Sequence, residues 1–126
     1  MLFVYPAIFH KEGSSYWVEF PDLDGCQTYG DTVKDAMECA QEALNVYVST
    51  LLDENLPLAA PSDIKSIQSP VDGFTSLVSC NIEPSRDTKA VKKTLTIPAW
   101  LNDRACAMNL NFSKILQDAL LSKLQM

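Results

Sequence analysis

Residues 94–97 read Thr-Leu-Thr-Ile, a strict polar–apolar alternation with the period of a β-strand. The rhythm then turns helical. Pro98 can occupy the first turn of a helix over residues 99–108, which carries Trp100, Leu101, Ala105, Cys106 and Met108 on its apolar side. Asn109-Leu110-Asn111 breaks it, and Asn111 caps a second helix with the face Phe112, Ile115, Leu116, Ala119, Leu120 and Leu124. A strand followed by two helices cannot satisfy its own N–H and C=O groups, so it must pair with another strand. The simplest partner is the same strand of a second chain, antiparallel about a two-fold axis. Leu95, Ile97, Trp100, Ile115 and Leu116 then form a dimer core shared by four helices, and Lys92, Thr94 and Thr96 point outward from a two-stranded ribbon. A ribbon of that width fits the DNA major groove, where Lys and Thr reach base edges. The start of the second helix at Asn111, Phe112 and Ser113 offers backbone N–H groups to a phosphate. A bland alternative exists for the ribbon, since any half-buried edge strand turns polar residues outward. The Pro98 start, the short first helix and the Asn111 cap favour the DNA reading over it.

The preceding residues have a different rhythm and the opposite charge. Residues 1–84 hold three Lys against thirteen Asp and Glu, a net −10, whereas residues 85–126 hold seven Lys and Arg against three acids, a net +4. Charge alone is compatible with two solvated faces of one domain; the change of periodicity argues for two modules, 1–84 and 85–126. Leu2 to Phe9 reads as a strand that Pro6 pushes toward an edge position or an irregularity. The turn Glu12-Gly13-Ser14-Ser15 joins it to a second strand, 16–20, and Cys26–Tyr29, closed by Gly30, reads as a third. Thr32-Val33-Lys34-Asp35 resembles a capping box with Asp in place of Glu. Val33, Met37, Ala40, Leu44, Tyr47, Val48, Leu51 and Leu52 then recur at helical spacing, which predicts an amphipathic helix over about 32–53. After a Pro- and Ser-containing connection, Phe74 to Ile82 reads as a fourth strand, with Phe74, Leu77, Val78, Cys80 and Ile82 as its apolar set. The expected fold is α+β: a small antiparallel sheet with one long helix, β-β-β-α-β, followed by a β-α-α module.

Composition narrows the chemistry. With 47% apolar residues and no apolar run near ~18, the chain of 126 residues is an ordinary globular protein without a membrane span. The apolar start, Met1 to Phe9, lacks a basic flank and is not expected to be a signal peptide. Cys26, Cys39, Cys80 and Cys106 form no close pair, and His10 is the one histidine, so neither zinc nor any other cofactor is expected. Reduced cysteines, buried or half-buried, in the cytoplasm are the expectation. Asp22, Asp24, Asp31 and Asp35 invite comparison with a metal-dependent nuclease. Turn chemistry accounts for the first two and a helix start for the others, which argues against catalysis. Tyr16 and Trp17 point to opposite faces of a strand, so one of them is a candidate for an exposed aromatic patch with Tyr5 and Tyr29.

Two stretches resemble known families. Lys92-Lys93-Thr94-Leu95-Thr96-Ile97-Pro98-Ala99-Trp100-Leu101 and Leu110-Asn111-Phe112-Ser113-Lys114-Ile115-Leu116 look like the strand and second-helix entry of ribbon-helix-helix repressors. Asn109 stands where many members carry Gly, and Phe112 where many carry Arg. Phe20-Pro21-Asp22-Leu23-Asp24-Gly25-Cys26, then Gly30-Asp31-Thr32, Ala36 and Glu42-Ala43-Leu44, is similar to the HicB antitoxin signature, with Asp24 where that family has Pro. The resemblance covers nearly the whole chain. It implies a partial RNase H-like fold for residues 1–84 and a ribbon-helix-helix dimerisation and DNA-binding domain for 85–126. It further implies a non-enzymatic antitoxin that covers the catalytic His of a small basic mRNA-cleaving toxin, HicA. Such an antitoxin represses its own operon as a dimer or higher oligomer on double-stranded operator DNA. The acidic excess suits a basic partner. Arg86, Lys89, Lys93 and Lys114 are expected to add positive charge near the DNA. Two rivals remain at this point: a ribbon-helix-helix regulator whose acidic domain senses something other than a toxin, and a metal-dependent RNase H-like nuclease.

Overall fold

A computed structural model of the chain describes residues 1–83 and 90–124. The chain divides into two compact units, Met1–Glu83 and Pro84–Met126. In the first, strands β1 (Leu2–Glu12), β2 (Ser15–Glu19) and β3 (Gln27–Gly30) precede helix α1 (Val33–Asp53). A 3₁₀ turn at Ile64–Ser66 then leads to β4 (Gly73–Asn81). The sheet is antiparallel throughout, in the order β3-β2-β1-β4. The observed class is therefore α+β, an antiparallel sheet carrying helices. The second unit contributes α2 (Ala99–Ala107) and α3 (Phe112–Leu124).

One face of the sheet makes the core. Along β1 the odd residues Phe3, Tyr5, Ala7 and Phe9 are buried and meet Val18 of β2 and Val78 and Cys80 of β4. From α1 the buried set is Ala36, Ala40, Leu44 and Val48, an i, i+4 row. Each fully buried Leu or Val contributes roughly 1.5–3 kcal/mol. The stripe read from the sequence needs one correction here, because Val33 is exposed and Ala36 takes its place in the core. Ala36 continues the i, i+4 row that faces the sheet, and the helix start lies so near the end of β3 that a Cβ at Gly30 would collide with the backbone of Ala36.

Of the two readings of Pro6, an edge position or a local irregularity, the edge position is corrected. β1 lies inside the sheet and Pro6 is buried. Lys11 N–H donates to Asp72 C=O (3.0 Å), which makes the odd residues of β1 those whose backbone faces β4. Pro6 is even, so its missing N–H faces the side of β2. That strand pairs no further along β1 than Glu19 opposite Ile8, and Pro6 interrupts no ladder.

Helix α1 is delimited by local chemistry. Thr32 Oγ1 accepts from Asp35 N–H (3.1 Å), one half of a capping box. The reciprocal bond is not formed among the described residues, consistent with the shorter reach of Asp. At the other end Asn55 has φ +55°, Leu56 N–H donates to Leu51 C=O (2.8 Å) and Asn55 N–H to Leu52 C=O (3.2 Å), a Schellman closure. Asn tolerates that left-handed conformation less well than Gly. Asn55→Gly is therefore expected to raise the first unit's thermal midpoint by about 2–4 °C, allowing for glycine's own entropy cost. A calorimetric scan checks this, and a lowered midpoint would count against the argument.

Candidate functional site

In the single chain, residues 90–98 form neither helix nor strand, and Lys92, Thr94 and Thr96 are exposed. The sheet of the first unit contains no strand from this segment. The alternation of Thr94 to Ile97 thus has no strand partner among the described residues of one chain. Pro98 lies just outside α2, as its N-cap residue, and its C=O accepts from Leu101 and Asn102 N–H (both 3.1 Å). This is one position earlier than the first-turn placement expected from the sequence.

The turn between the two helices repeats the closure of α1. Asn109 has φ +54°, Leu110 N–H donates to Ala105 C=O (3.1 Å) and Asn109 N–H to Cys106 C=O (3.1 Å). Asn here fills the left-handed position for which many ribbon-helix-helix sequences use Gly. Two residues later Asn111 Oδ1 accepts from Lys114 N–H (3.1 Å) and Asn111 C=O from Ile115 N–H (3.0 Å), the geometry of an N-cap. Phe112 and Ser113 open α3 and are exposed.

Neither α2 nor α3 contains a buried residue. Leu95 is 57% exposed, Ile97 49% and Trp100 65%, and Ile115 and Leu116 are also open. Leu101, Leu110, Phe112, Leu120, Leu121 and Leu124 extend the same apolar surface. A monomeric domain rarely exposes so many large apolar side chains within one short stretch of chain. Cys106 is exposed too, against the expectation of a buried or half-buried thiol. The expected charges Arg86 and Lys89 lie outside the described residues; Lys93 and Lys114 are exposed.

In the first unit the face of the sheet opposite α1 carries an aromatic row. His10 pairs with Trp17 and Trp17 with Tyr29 in the strand register. The His10 and Trp17 rings stack at 3.9 Å and 9°, and His10 Nε2 lies 3.0 Å from Glu19 Oε1. Tyr16, on the other face, packs against the core with its ring edge toward Phe74 (6.4 Å). Trp17 and Tyr29 are therefore the outward aromatics. The sequence reading names Trp17 and Tyr29 for such a patch but leaves Tyr16 as the alternative to Trp17; Tyr5, expected with them, is buried, and His10 joins the row instead because a two-residue turn at Gly13–Ser14 fixes the hairpin register and places it opposite Trp17.

The acids that suggested a nuclease are dispersed into other tasks. Asp22 accepts from Ser62 N–H (2.9 Å) and from its Oγ, a tie across 40 residues of sequence rather than the local turn bond expected. Asp31 accepts from Ser15 Oγ (3.4 Å), and Asp35 sits at the α1 cap. Among the described residues, no three His, Cys, Asp or Glu side chains come together as ligands for a metal ion. Burial pushes the Cys26 thiol up to about 11 and raises Cys80 as well. Tyr5 is raised by burial and then by Asp22 and Cys80, and its hydroxyl donates to Ala59 C=O (2.6 Å). These groups stay protonated near neutrality and serve packing.

A family model described as the HicB-like antitoxin of bacterial toxin–antitoxin systems matches residues 5–117. The chain belongs to that family. A toxin–antitoxin complex from Streptococcus pneumoniae contains a chain 33% identical to it, with TM-score 0.62, covering 98% of this chain and 99% of that one. A HicA3–HicB3 toxin–antitoxin complex contains a chain 30% identical, with TM-score 0.53, covering 64% of this chain and 100% of that one. An uncharacterised 14.9 kDa protein from the rep-hol intergenic region of Haemophilus phage HP1 is 33% identical over 105 residues, 80% of this chain and 77% of the relative. Among the described residues, no helix is long and apolar enough to cross a membrane.

Proposed function

We propose that this HicB-like antitoxin is a non-enzymatic inhibitor that occludes a HicA-type mRNA-cleaving toxin with its acidic residues 1–84, and that residues 85–126 form a ribbon-helix-helix dimer on operator DNA. The observation that carries the second half is the apolar surface of α2 and α3, where no described residue of the unit is buried. Apolar burial is the dominant favourable term in folding, so a unit of this kind requires a partner that covers it. A second copy is the economical one, because the same surface then closes on itself and Thr94 to Ile97 acquires the antiparallel neighbour its alternation demands. The extended segment would become a ribbon with Leu95 and Ile97 inward and Lys92, Thr94 and Thr96 toward the groove. The capped start of α3, where Ser113 follows Asn111 and Phe112, would meet a phosphate with its free N–H groups.

For the first half, the support is family membership, the chains of known toxin–antitoxin complexes that this chain resembles, and the net −10 of residues 1–84. Opposite fields accelerate encounter and disfavour wrong partners. An RNase H-like ancestry of the sheet fits this use, with the Asp22 and Asp31 carboxylates spent on structural bonds and Asp35 at the start of α1, rather than converging on metal ions.

A gel shift with the DNA upstream of the gene tests the groove face. Lys92→Ala with Thr94→Ala is expected to weaken binding by about 2–5 kcal/mol, roughly thirtyfold or more, from the loss of base-edge contacts and one phosphate-side charge. The wild-type complex should also weaken steeply with salt. Unchanged affinity in the double variant would remove this face from the reading.

A further inference from the structure

The aromatic row on the outer face of the sheet takes no part in the core. Along the pairing of β2 with β3, Trp17 stands opposite Tyr29 and Glu19 opposite Gln27, and one step the other way Ser15 Oγ donates to Asp31 Oδ1 (3.4 Å). Successive outward residues of a strand are about 7 Å apart, so the Trp17–Tyr29 pair has a carboxylate one step away on each side. His10 covers Trp17 from the β1 side, with the rings nearly parallel at 3.9 Å. The other face of the indole is therefore turned toward β3. Among the described residues no ring of β3 stacks on that face, and Tyr29 is 70% exposed.

Charge on this face has one sign. The outward positions of the four strands carry Glu12 and Glu19 and no Lys or Arg, and Asp31 adds a third carboxylate just beyond β3. Among the described residues the one ion pair is His10 Nε2 with Glu19 Oε1 at 3.0 Å, so Asp31 has no cation beside it. A carboxylate offers about four acceptor sites, so Glu19 and Asp31 keep free capacity after the bonds to His10 and Ser15. An indole held in one orientation, open on its far side and flanked by carboxylates, attracts a planar cation: the ring draws it onto its face, and the carboxylates bind its N–H edge. Arg suits this place better than Lys, because its guanidinium both stacks and forks. A nucleobase would also stack, but single-stranded nucleic acid needs a positive groove for its phosphates, and here they would meet Glu19 and Asp31.

We propose that Trp17 and Tyr29 receive an arginine side chain of the basic toxin, held at its edge by Glu19 and Asp31. The proposal rests on the toxin reading above and names the surface of residues 1–84 that it uses.

The test uses the full chain and the HicA-type protein encoded beside its gene, in a form with its catalytic His substituted. Tyr29→Ala is expected to weaken toxin binding about five- to tenfold, and Tyr29→Phe to keep it within about twofold, because a phenyl ring still attracts a cation. Asp31→Asn is expected to weaken binding about threefold at low salt, an effect that shrinks as salt rises. Tyr29 and Asp31 are exposed, so all three variants should fold as wild type does. Replacing the toxin's arginines by lysine one at a time should find one whose effect largely disappears in the Tyr29→Ala background. Toxin bound by Tyr29→Ala as tightly as by wild type overturns the site while the toxin reading stands, and so does a toxin in which no arginine couples to Tyr29. Single-stranded RNA bound by the wild-type chain but not by Tyr29→Ala would assign the face to nucleobases and overturn the proposal. A Tyr29-dependent change of oligomeric state with toxin affinity unchanged would assign it to a second copy, with the same consequence. No toxin binding by the wild-type chain overturns both readings.

Discussion

Leu95→Lys is expected to leave the chain monomeric and to lower its affinity for operator DNA by at least about a hundredfold. In a single chain Leu95 is exposed, so the substitution costs an isolated molecule little. In a two-fold ribbon the same residue enters the shared core twice. Losing two buried Leu side chains removes roughly 3–6 kcal/mol, and each Lys adds the cost of placing a charge there. Two DNA half-sites read by one dimer then become two weak, separate contacts, and the gain in effective concentration from linking them is lost. Sedimentation equilibrium reads the first effect and a gel shift the second. The control is Val91→Lys, which changes charge equally at an exposed position just before the ribbon. It should leave the dimer intact and, if anything, tighten binding at low salt. A Leu95→Lys chain that stays dimeric and binds like wild type would refute the ribbon.

Much of the first unit could be read from sequence because its signals are local. The α1 boundaries follow from Thr32 at one end and a break before Pro57 at the other, and the first hairpin follows from Gly13-Ser14. The errors share a cause: they concern which neighbour a residue meets across the fold. Pro6 was expected at an edge, but what matters is the open half of an interior strand, which depends on where β2 stops. Val33 outranks Ala36 in hydrophobicity, yet Ala36 lies on the sheet-facing i, i+4 row and Val33 does not. Leu77 belongs to the apolar set of β4 by composition and to the outer face by register. Asp22 looked like a turn former and proved to be a tie to Ser62. The candidate sites divide in the same way. The alternation of Thr94 to Ile97 is a local pattern, visible at once. The strand order β3-β2-β1-β4, which decides which strands lie at the edges, is encoded by no short motif.

The largest stability effect in the first unit is expected at Phe9. It is fully buried at the centre of the sheet, pairs in register with Phe74, and stacks on that ring at 4.8 Å and 9°. Phe9→Ala removes apolar burial and leaves a cavity that the surrounding backbone cannot close, since Phe9 lies in β1, bonded to β2 on one side and β4 on the other. The expected cost is about 3–5 kcal/mol, with the lost ring stack included. For a unit of this size that corresponds to a fall of at least about 12 °C in melting midpoint. It is also a large fraction of the ~5–15 kcal/mol by which a domain is stable. Tyr29→Ala serves as the contrast. That residue is on the outer face and exposed, and its truncation should shift the midpoint by no more than a few degrees. Thermal melts followed by far-UV circular dichroism distinguish the two. Because Leu44 and Val48 of α1 belong to the same core cluster as Phe9, helix and sheet signals should fall together in the Phe9→Ala chain. A variant that kept α1 folded while the sheet signal was lost would mean that the helix is held by something other than this core.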